Sequence, residues 1–360
     1  MPRGTGSVRA LAVARDRAAS QHLSAPAAVT PARLVAWFGA VQSQDYPLGT
    51  WSIAQRLAHG DVERAIADGA ILRAHVLRPT WHFVAREDLR WMQALTSPRV
   101  LALMKYADRA NGIDAALIAR STKAIAAAIG RQGHLTRAGV ASVLTRARVV
   151  TTAWQVGQLL MHAELRSVIC SGIPAGHLQT YALVDERAPR DAAMTRDETL
   201  ATLARRYFQS HGPATARDFQ WWSGLSATDV ARAIDTLGRL VSHQCIGDRT
   251  FFSIGSRVRS GSPKRAHFIQ PYDEFVVGYS ESRDVVDVSG AARADAPAGS
   301  AALLTRGVVY DAQLVARWRV DRDGRPSAIA VQPLRRLLAA ERDAIAAATA
   351  RFAAFDASRR

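Results

Sequence analysis

Cysteine, lysine and long hydrophobic runs are scarce in this chain of 360 residues, which has two cysteines and three lysines. Two cysteines exclude a disulfide-stabilised scaffold and a zinc module with cysteine ligands. No apolar stretch approaches the roughly 20 residues that a helix needs to cross a bilayer. Arginines interrupt the N-terminal segment, which is therefore unlike a signal peptide. We expect a cytoplasmic protein that makes no membrane contact.

Positive charge, by contrast, is abundant. The chain has 47 Lys and Arg residues against 31 Asp and Glu residues, a net charge of +16, and all but three of the cations are arginines. A GC-rich genome explains the excess of arginine over lysine, but it does not explain the excess of positive over negative charge. Such a charge is typical of proteins with a polyanionic partner, so we expect this chain to bind nucleic acid.

One pattern of predicted elements occurs three times: three helices, then two strands joined by a turn. The clearest copy covers about 196–255, a second covers 115–185, and a less regular copy covers 30–86. Three helices followed by a hairpin are the order of a winged helix-turn-helix. After residue 255 come a basic linker, several strand-like runs and a long alanine-rich helix.

The predicted fold class is therefore α+β, mainly α, with three tandem winged helix-turn-helix units, a β-rich C-terminal element and a closing helix. The predicted divisions of the chain are a leading helix at 1–29, winged helix 1 at 30–110, winged helix 2 at 111–190, winged helix 3 at 191–255, and the basic linker, β-rich element and terminal helix at 256–360.

Several local predictions accompany this fold. Thr215 is expected to cap a helix that Gly224 ends. Trp221 and Trp222 on that helix differ in direction by about 100°, so one is expected in the core and the other partly exposed. The apolar run at 275–279 is expected to be a strand.

Standard catalytic motifs are absent from the sequence. It has no glycine-rich phosphate loop of the Walker or Rossmann type and no Gly-x-Ser-x-Gly elbow. Its ten histidines do not fall at metal-ligand spacing with one another or with cysteine, so we expect neither a metal nor a cofactor. Cys170 and Cys245 lie in predicted strands, and His162 and His243 have apolar neighbours; all four side chains are expected to be buried.

The stretch Gln42-Ser43-Gln44-Asp45-Tyr46-Pro47 follows the first helix of winged helix 1. Pro47 disfavours helix at Tyr46, so the helix is expected to end near Gln44. Two amides at a helix end can turn toward one cleft, although residues two apart on a continuing helix point to opposite sides. Spacing alone leaves two interpretations. The glutamines are either ordinary amides that cap the helix and face solvent, or a functional pair.

Four segments, which we call the landmark segments, resemble one family. They are Gln42-Ser43-Gln44; residues 77–84, Leu-Arg-Pro-Thr-Trp-His-Phe-Val; residues 211–225, which begin His-Gly-Pro-Ala-Thr and end Asp-Phe-Gln-Trp-Trp-Ser-Gly-Leu; and residues 272–279, Tyr-Asp-Glu-Phe-Val-Val-Gly-Tyr. In this order they are similar to the winged-helix DNA glycosylase superfamily typified by AlkZ and YcaQ. The resemblance implies three tandem winged helices with a β-rich C-terminal element.

The resemblance also implies an activity. Members whose activity is understood excise alkylated purines or unhook interstrand crosslinks, and their catalytic signature is Gln-x-Gln, which maps onto Gln42 and Gln44. The implied function is a monofunctional DNA glycosylase that acts on damaged, double-stranded DNA at the nucleoid, in DNA repair or in genotoxin resistance.

The chemistry of glutamine limits which bases such an enzyme could remove. An amide has no useful proton equilibrium near neutrality, so neither glutamine is a general base. Its carbonyl oxygen can orient a water and place a dipole against a developing oxocarbenium ion. That suffices only for a good leaving group, such as an N3- or N7-alkylated purine, whose departure neutralises a cation. Asp45 adjoins the pair and ranks third, as a water activator or charge stabiliser.

Other residues have both structural and functional interpretations. Trp81 and His82 lie on a predicted strand, where each either packs in the core or supports the glutamine pair, and Trp81 could also stack on DNA. Asp273 and Glu274 are expected to pair with nearby arginines. The candidates for phosphate contacts, taken as a group, are Arg146, Arg148, Arg166, Arg257, Arg259, Lys264 and Arg265.

Two other functions stay open. A non-catalytic winged-helix protein would bind DNA as a regulator or an architectural protein, and a regulator would normally dimerise on a palindromic site. A self-resistance protein would sequester a genotoxin without turnover. Three different winged helices in one chain favour a monomer that surrounds one site, and hence the enzyme.

Overall fold

The structure, a computed structural model, describes residues 5–149, 152–190, 194–255, 264–295, 303–321 and 328–359. These ranges combine many helices with small antiparallel sheets. The predicted α+β fold class is confirmed. Within these ranges, no helix has both the length and the apolar character that crossing a membrane requires.

The first repeat unit follows the leading helix α1 (Thr5–Ser20). The hydroxyl of Thr30 accepts a hydrogen bond from the Arg33 N–H at 3.3 Å and so caps the first helix of the unit. The elements of this unit are α2 (Pro31–Phe38), β1 (Val41–Gln42), α3 (Tyr46–Ala54), α4 (Val62–Ala67), β2 (Ile71–His75) and β3 (Trp81–Ala85). The short strand β1 pairs with β3, so the strand order is β1-β3-β2.

A long helix, α5 (Leu89–Ala110), leads into the second unit. Its elements are α6 (Ala115–Gln132), β4 (Leu135–Thr136), α7 (Arg137–Arg146), α8 (Ala153–Leu165), β5 (Ile169–Ser171) and β6 (Thr180–Leu183), followed by the short helix α9 (Val184–Arg187). The strand order β4-β6-β5 repeats that of the first unit. Thr152 and Gln155 form a reciprocal capping box at the start of α8.

The third unit has the same order with a reduced sheet. Its elements are α10 (Arg196–Ser210), α11 (Ala216–Ser223), α12 (Ala227–Leu237), β7 (Ser242–Ile246) and β8 (Arg249–Ser253). A single bridge between Ala214 and Phe252 stands where the other units have a short first strand. Thr215 caps α11 and Gly224 ends it in the left-handed conformation, both as predicted. The division of the chain into three winged-helix domains at the predicted boundaries stays a prediction.

The C-terminal element is a four-stranded antiparallel sheet with a closing helix. Its elements are β9 (Ala266–Ile269), α13 (Glu274–Val277), α14 (Ala291–Ala294), β10 (Gly307–Tyr310), β11 (Gln313–Asp321), β12 (Ala328–Pro333) and α15 (Ala339–Ala357), in the strand order β12-β11-β10-β9. The predicted strand at 275–279 is wrong, because α13 occupies most of it. Asp273 caps that helix, and every residue of α13 is buried, so its apolar run has no period that distinguishes a strand from a helix.

This C-terminal element packs directly on the first repeat unit. The indole N–H of Trp51 on α3 donates to the Phe268 carbonyl at 2.7 Å, and its ring meets Phe352 of α15 edge-on at 5.1 Å. A buried ion pair joins Arg56 to Asp273 at 2.5 Å, which is the arginine partner expected for Asp273. The first unit and the C-terminal element therefore share one core.

Three further local predictions are wrong: the end of the helix near Gln44, the burial of His243 and the burial of Cys245. Helix α2 ends at Phe38, well before Gln44, because Gly39 adopts a φ of 83° and the chain continues as strand β1. His162 and Cys170 are buried as expected, but His243 and Cys245 are exposed. Both lie on β7 of a two-stranded ribbon, in which Phe251 of β8 is the residue packed into the core.

Buried neutral histidines predict a pH dependence of stability. Burial and the positive charge of nearby arginines lower the pKa of His267 to about 3. The unfolded chain binds a proton at this position as the pH falls below about 6.5, whereas the folded protein does not, so folding is favoured above that pH and loses stability below it. Relative to wild type, His267→Leu should reduce this loss of stability by about 2 kcal/mol between pH 7 and pH 5. Urea unfolding between pH 7 and pH 5 measures it.

The matched control is His59→Leu, which replaces an exposed histidine. It should leave the pH dependence of the free energy of unfolding as in wild type. An identical pH dependence in wild type and His267→Leu would contradict the prediction.

Candidate active site

Gln42 lies on an edge strand whose outer side is covered by side chains. On its inner side β1 pairs with β3, with Gln42 opposite His82. On its outer side the Gln42 N–H donates to Glu274 Oε1 at 2.9 Å, and the Gln42 carbonyl accepts from Gln270 Nε2 at 3.3 Å. Two side chains of the C-terminal element therefore take the place of a neighbouring strand and satisfy both backbone groups.

The carboxylate of Glu274 connects three parts of the chain. Besides the Gln42 N–H, it accepts from Trp222 Nε1 at 2.9 Å and from His211 Nε2 at 3.1 Å. Burial lowers the pKa of His211, and the neighbouring Glu274 opposes this shift only in part. A neutral His211 that donates from Nε2 can accept the hydroxyl of Ser210 at Nδ1, 2.8 Å away. The three donors to Glu274 and both ring nitrogens of His211 are then paired.

The side chain of Gln42 faces an arginine. Arg78 Nη2 donates to Gln42 Oε1 at 3.0 Å. Because a guanidinium only donates, the Gln42 amide must present its oxygen to Arg78, and the orientation of the amide is fixed. Burial lowers the pKa of Arg78, and the negative charge of Glu274 partly offsets that effect.

Arg78 is held in place by a close packing of two turns. It belongs to the tight connection between β2 and β3, where Leu77 adopts a φ of 60°. Gly224 at the end of α11 packs against this connection: a Cβ at Gly224 would lie 2.5 Å from the Leu77 carbonyl oxygen. Gly224 also has a φ of 68°, so a larger residue there would be strained as well as crowded.

Gln44 stands at the exposed end of the same segment. Its Oε1 accepts the Trp81 N–H at 3.4 Å. The Ser43 N–H bonds to the Trp81 carbonyl at 2.8 Å, so the chain stays extended beyond β1. Residues two apart on an extended segment point to the same side. The chain bends at Gln44, just beyond the extended segment, so this rule does not extend to the Gln44 side chain; Gln42 is buried and Gln44 is exposed.

Each amide oxygen retains one free lone pair. A carbonyl oxygen has two lone pairs, and Arg78 and Trp81 each use one of them, on Gln42 and Gln44 respectively. Each oxygen can therefore accept a hydrogen from a water. A water held in this way presents its own lone pair outward, as a nucleophile must.

Asp45 has a structural function in the fold. Its Oδ1 accepts the Leu48 N–H at 3.1 Å and caps α3. Its Oδ2 lies 3.9 Å from Arg306 Nη2. The carboxylate is thus oriented toward the helix start and a cation. A part in the chemistry stays a proposal for this residue.

The two candidate residues on β3 have different surroundings. The Trp81 ring is half-buried and contacts Arg73 and His75, with the Arg73 guanidinium 4.4 Å from the ring centroid. His82 is fully buried, and burial lowers its pKa well below the usual value. Its Nδ1 lies 2.9 Å from the Thr80 carbonyl and donates to it, which leaves Nε2 as an acceptor beside Gln42 without a partner among the described residues.

The structure does not gather the candidate phosphate contacts into one cluster. Arg146 ends α7 and Arg148 follows it, both exposed, whereas Arg166 follows the C-terminal end of α8. Lys264 pairs with Asp311 at 2.7 Å and Arg265 is exposed. Arg257 and Arg259 lie outside the described residues.

Two residues of this site, Arg78 and His211, are not among the candidates assigned from the sequence. Glu274 is, but its hydrogen-bond partners are Gln42, Trp222 and His211 instead of an arginine. Nothing in the spacing of these residues predicts that they meet. The available signal is that each belongs to one of the landmark segments, and the structure brings all four segments together.

Comparisons with known proteins show the family and the fold of this chain. The family model described as DNA glycosylase AlkZ-like matches residues 35–355. The fold is similar to that of the Streptomyces sahachiroi DNA glycosylase AlkZ, with a TM-score of 0.77 and 20% sequence identity, and the match covers 96% of each chain. No curated protein sequence matches this chain. At this identity the structural similarity shows the fold.

Removing the Glu274 carboxylate should destabilise the protein. Glu274→Ala leaves three buried donors, on Gln42, His211 and Trp222, without their acceptor. We expect the free energy of unfolding to fall by about 3 kcal/mol or more, since each buried unpaired donor costs about 1–3 kcal/mol. Urea unfolding followed by tryptophan fluorescence measures the change.

Glu87→Ala serves as the matched control, because Glu87 is exposed and, among the described residues, pairs with its neighbour Arg86 alone. It should change the free energy of unfolding by no more than about 0.5 kcal/mol. Equal stability of Glu274→Ala and wild type would show that the three donors do not depend on this carboxylate.

Proposed function

Because the chain belongs to the AlkZ-like DNA glycosylase family, we propose that it hydrolyses the N-glycosidic bond of cationic alkylated purines in double-stranded DNA. Removal of such bases, including those in interstrand crosslinks, would serve DNA repair or genotoxin resistance. We propose Gln42 and Gln44 as the residues that position the attacking water, with the protein acting as a monomer that surrounds one lesion.

The observation that carries this proposal is the fixed orientation of the two amides. Arg78 and the Trp81 N–H are donors, so each holds a glutamine oxygen and leaves one lone pair for the water. The same two oxygen dipoles favour positive charge, which develops on the sugar as the base departs. Neither effect requires a titrating group.

The charge of the leaving group completes the argument. Two amides cannot activate a water as strongly as a carboxylate or a histidine can. They suffice where the bond to the base is already weak, as it is when alkylation at N3 or N7 makes the purine cationic. We propose cationic purines as the substrate class for this reason, in preference to uncharged damaged bases.

Hydrolysis by water fits the positions of the three lysines. Lys105 and Lys123 lie on α5 and α6, and Lys264 pairs with Asp311 at the start of the C-terminal element. Within the described part of the chain, none of the three contacts Gln42 or Gln44, so no amine lies at the site. A Schiff-base mechanism is therefore not proposed, and the abasic product would keep its phosphodiester backbone.

Base release from defined DNA tests the proposal. Duplexes with N7-methylguanine, N3-methyladenine or a nitrogen-mustard crosslink are incubated with the protein, and abasic sites are revealed by alkali on a gel. Wild type should release at least one of these bases. Gln42→Ala/Gln44→Ala should slow release by a hundredfold or more, which corresponds to about 2.7 kcal/mol of transition-state stabilisation.

The matched control is Gln132→Ala/Gln332→Ala, which removes two exposed amides elsewhere and should leave the rate unchanged. Asp45→Asn separates the third candidate: a collapse in that variant alone would move the chemistry to Asp45. An absence of release from every lesion, with DNA binding intact, would favour the non-catalytic DNA-binding function or the sequestration of a genotoxin.

If the exposed arginines Arg146 and Arg148 contact phosphates, DNA binding should depend on the salt concentration in a predictable way. If Arg146 and Arg148 each neutralise one phosphate, Arg146→Ala/Arg148→Ala should lower the slope of log binding constant against log salt by about 1.8. Fluorescence anisotropy with a short labelled duplex, repeated over a range of NaCl concentrations, measures both slopes.

Arg33→Ala/Arg342→Ala carries the same net charge and removes exposed arginines from α2 and α15. Its slope should match that of wild type. Equal slopes for all three proteins would remove Arg146 and Arg148 from the DNA contact surface.

A further inference from the structure

A cavity lies away from the glutamine pair. It has a volume of about 740 Å³ and lies between the C-terminal half of α5, the helix α6 and the end of α8. Sites for small organic molecules have volumes of roughly 300–1,000 Å³ and mostly apolar walls. Leu101, Ile113 and Ile118 supply such walls here. The cavity thus has the size and lining of a small-molecule site.

Two buried polar atoms in this cavity lack partners among the described residues. They are Asp108 Oδ1 on α5 and Thr122 Oγ1 on α6. Asp108 is only 6% exposed and its free oxygen is closed off from solvent, so a ligand in the cavity pairs with that oxygen only after the side chain rotates. The two atoms come from different helices, and both residues line the same space.

The other carboxylate oxygen of Asp108, Oδ2, is held by a hydrogen bond from a neighbouring side chain. His162 Nε2 lies 3.0 Å from Asp108 Oδ2, and Arg166 Nη1 lies 2.8 Å from His162 Nδ1. The guanidinium can only donate, so His162 accepts at Nδ1 and donates from Nε2. The chain of bonds from Arg166 to Asp108 is therefore complete, and Oδ1 is the position left for a donor from outside.

Unpaired cations surround this space. Lys105 and Arg109 on α5 and Lys123 on α6 are exposed, and none has an ion-pair partner among the described residues. Two of the three lysines of the whole chain are among them, although arginine is strongly preferred elsewhere. Asp114, the other acid in the lining, caps α6 through the Leu117 N–H. The charges of this rim are complementary to an anion.

We propose that this cavity binds a small organic anion. Its apolar body would fill the space against Leu101, Ile113 and Ile118, and an N–H or O–H group would donate to Asp108 Oδ1. Its acidic group would lie at the rim near Lys105, Arg109 and Lys123. This inference is independent of the proposed glycosylase activity, since none of these residues belongs to the glutamine site.

The cavity and the glutamine site lie on different sides of α8. Glu164 on that helix accepts from the His75 N–H at 3.0 Å and from Trp81 Nε1 at 3.4 Å, in the first repeat unit. His162 and Arg166, each two positions away, line the cavity instead. Residues two apart on a helix point in different directions. A ligand can therefore fill the cavity without contacting Gln42 or Gln44.

The fluorescent dye anilinonaphthalene sulfonate is a probe of the required chemistry, with an aromatic body, one N–H and one sulfonate. It should bind wild type saturably. Lys105→Ala/Lys123→Ala should weaken binding roughly tenfold, and Ala119→Phe, which adds a ring at the lining of the cavity, should weaken it by at least as much. Both variants should release bases from damaged DNA at the wild-type rate.

Arg120→Ala/Arg131→Ala is the matched control, because it removes two exposed cations of α6 that do not line the cavity. It should change the dye affinity by less than roughly twofold. The neutral analogue phenylnaphthylamine, which lacks the sulfonate, should bind wild type more weakly than the dye and should not respond to loss of the two lysines.

Three results with the dye would overturn the proposal. They are non-saturable dye binding by wild type, an unchanged affinity in Lys105→Ala/Lys123→Ala, and an equal loss in the Arg120→Ala/Arg131→Ala control. Competition with DNA tests whether the cationic rim binds the phosphate backbone instead of a small molecule. If a short undamaged duplex displaces the dye, and the lysine variant loses DNA affinity as strongly as dye affinity, then the rim contacts the DNA backbone and the small-molecule site is rejected.

Discussion

The buried carboxylate of Glu274 is the interaction on which the candidate site depends. A carboxylate only accepts hydrogen bonds, and its charge is tolerated in the interior only where donors surround it. Here the donors come from Gln42, His211 and Trp222, which are far apart along the chain. The charge of one residue therefore requires the first unit, the third unit and the C-terminal element to meet at one point.

This constraint explains why the glutamine pair cannot be a property of the first repeat unit alone. Strand β1 has only two residues and an open outer edge, and an isolated edge of this length is marginal. Glu274 and Gln270 close that edge from outside the unit. The repeats supply a common frame of helices and hairpins. The site forms where the C-terminal element completes the small sheet of the first unit.

The sequence predicts the parts of this arrangement that depend on neighbouring residues. Thr215 and Gly224 bound α11 because capping and left-handed backbone are local properties, and Trp222 is buried while Trp221 is 43% exposed, as their angular separation implies. The position of Gln42 on a strand was beyond local reasoning, because that strand exists only through its pairing with β3. The hydrogen bond from Arg78 to Gln42 likewise depends on how two segments 36 residues apart pack together.

The electrostatics of the site agree with a cationic substrate. A guanidinium fixes the orientation of an amide well, because it only donates hydrogen bonds and keeps its charge. An isolated cation beside the reacting bond would, however, repel a cationic alkylated purine. The Glu274 carboxylate acts on Arg78 through its opposite charge. This carboxylate offsets part of the positive charge behind Gln42, to which Arg283 also contributes. What faces the proposed substrate is the negative end of two amide dipoles, which attracts both the cationic base and the positive charge that develops on the sugar as the bond breaks.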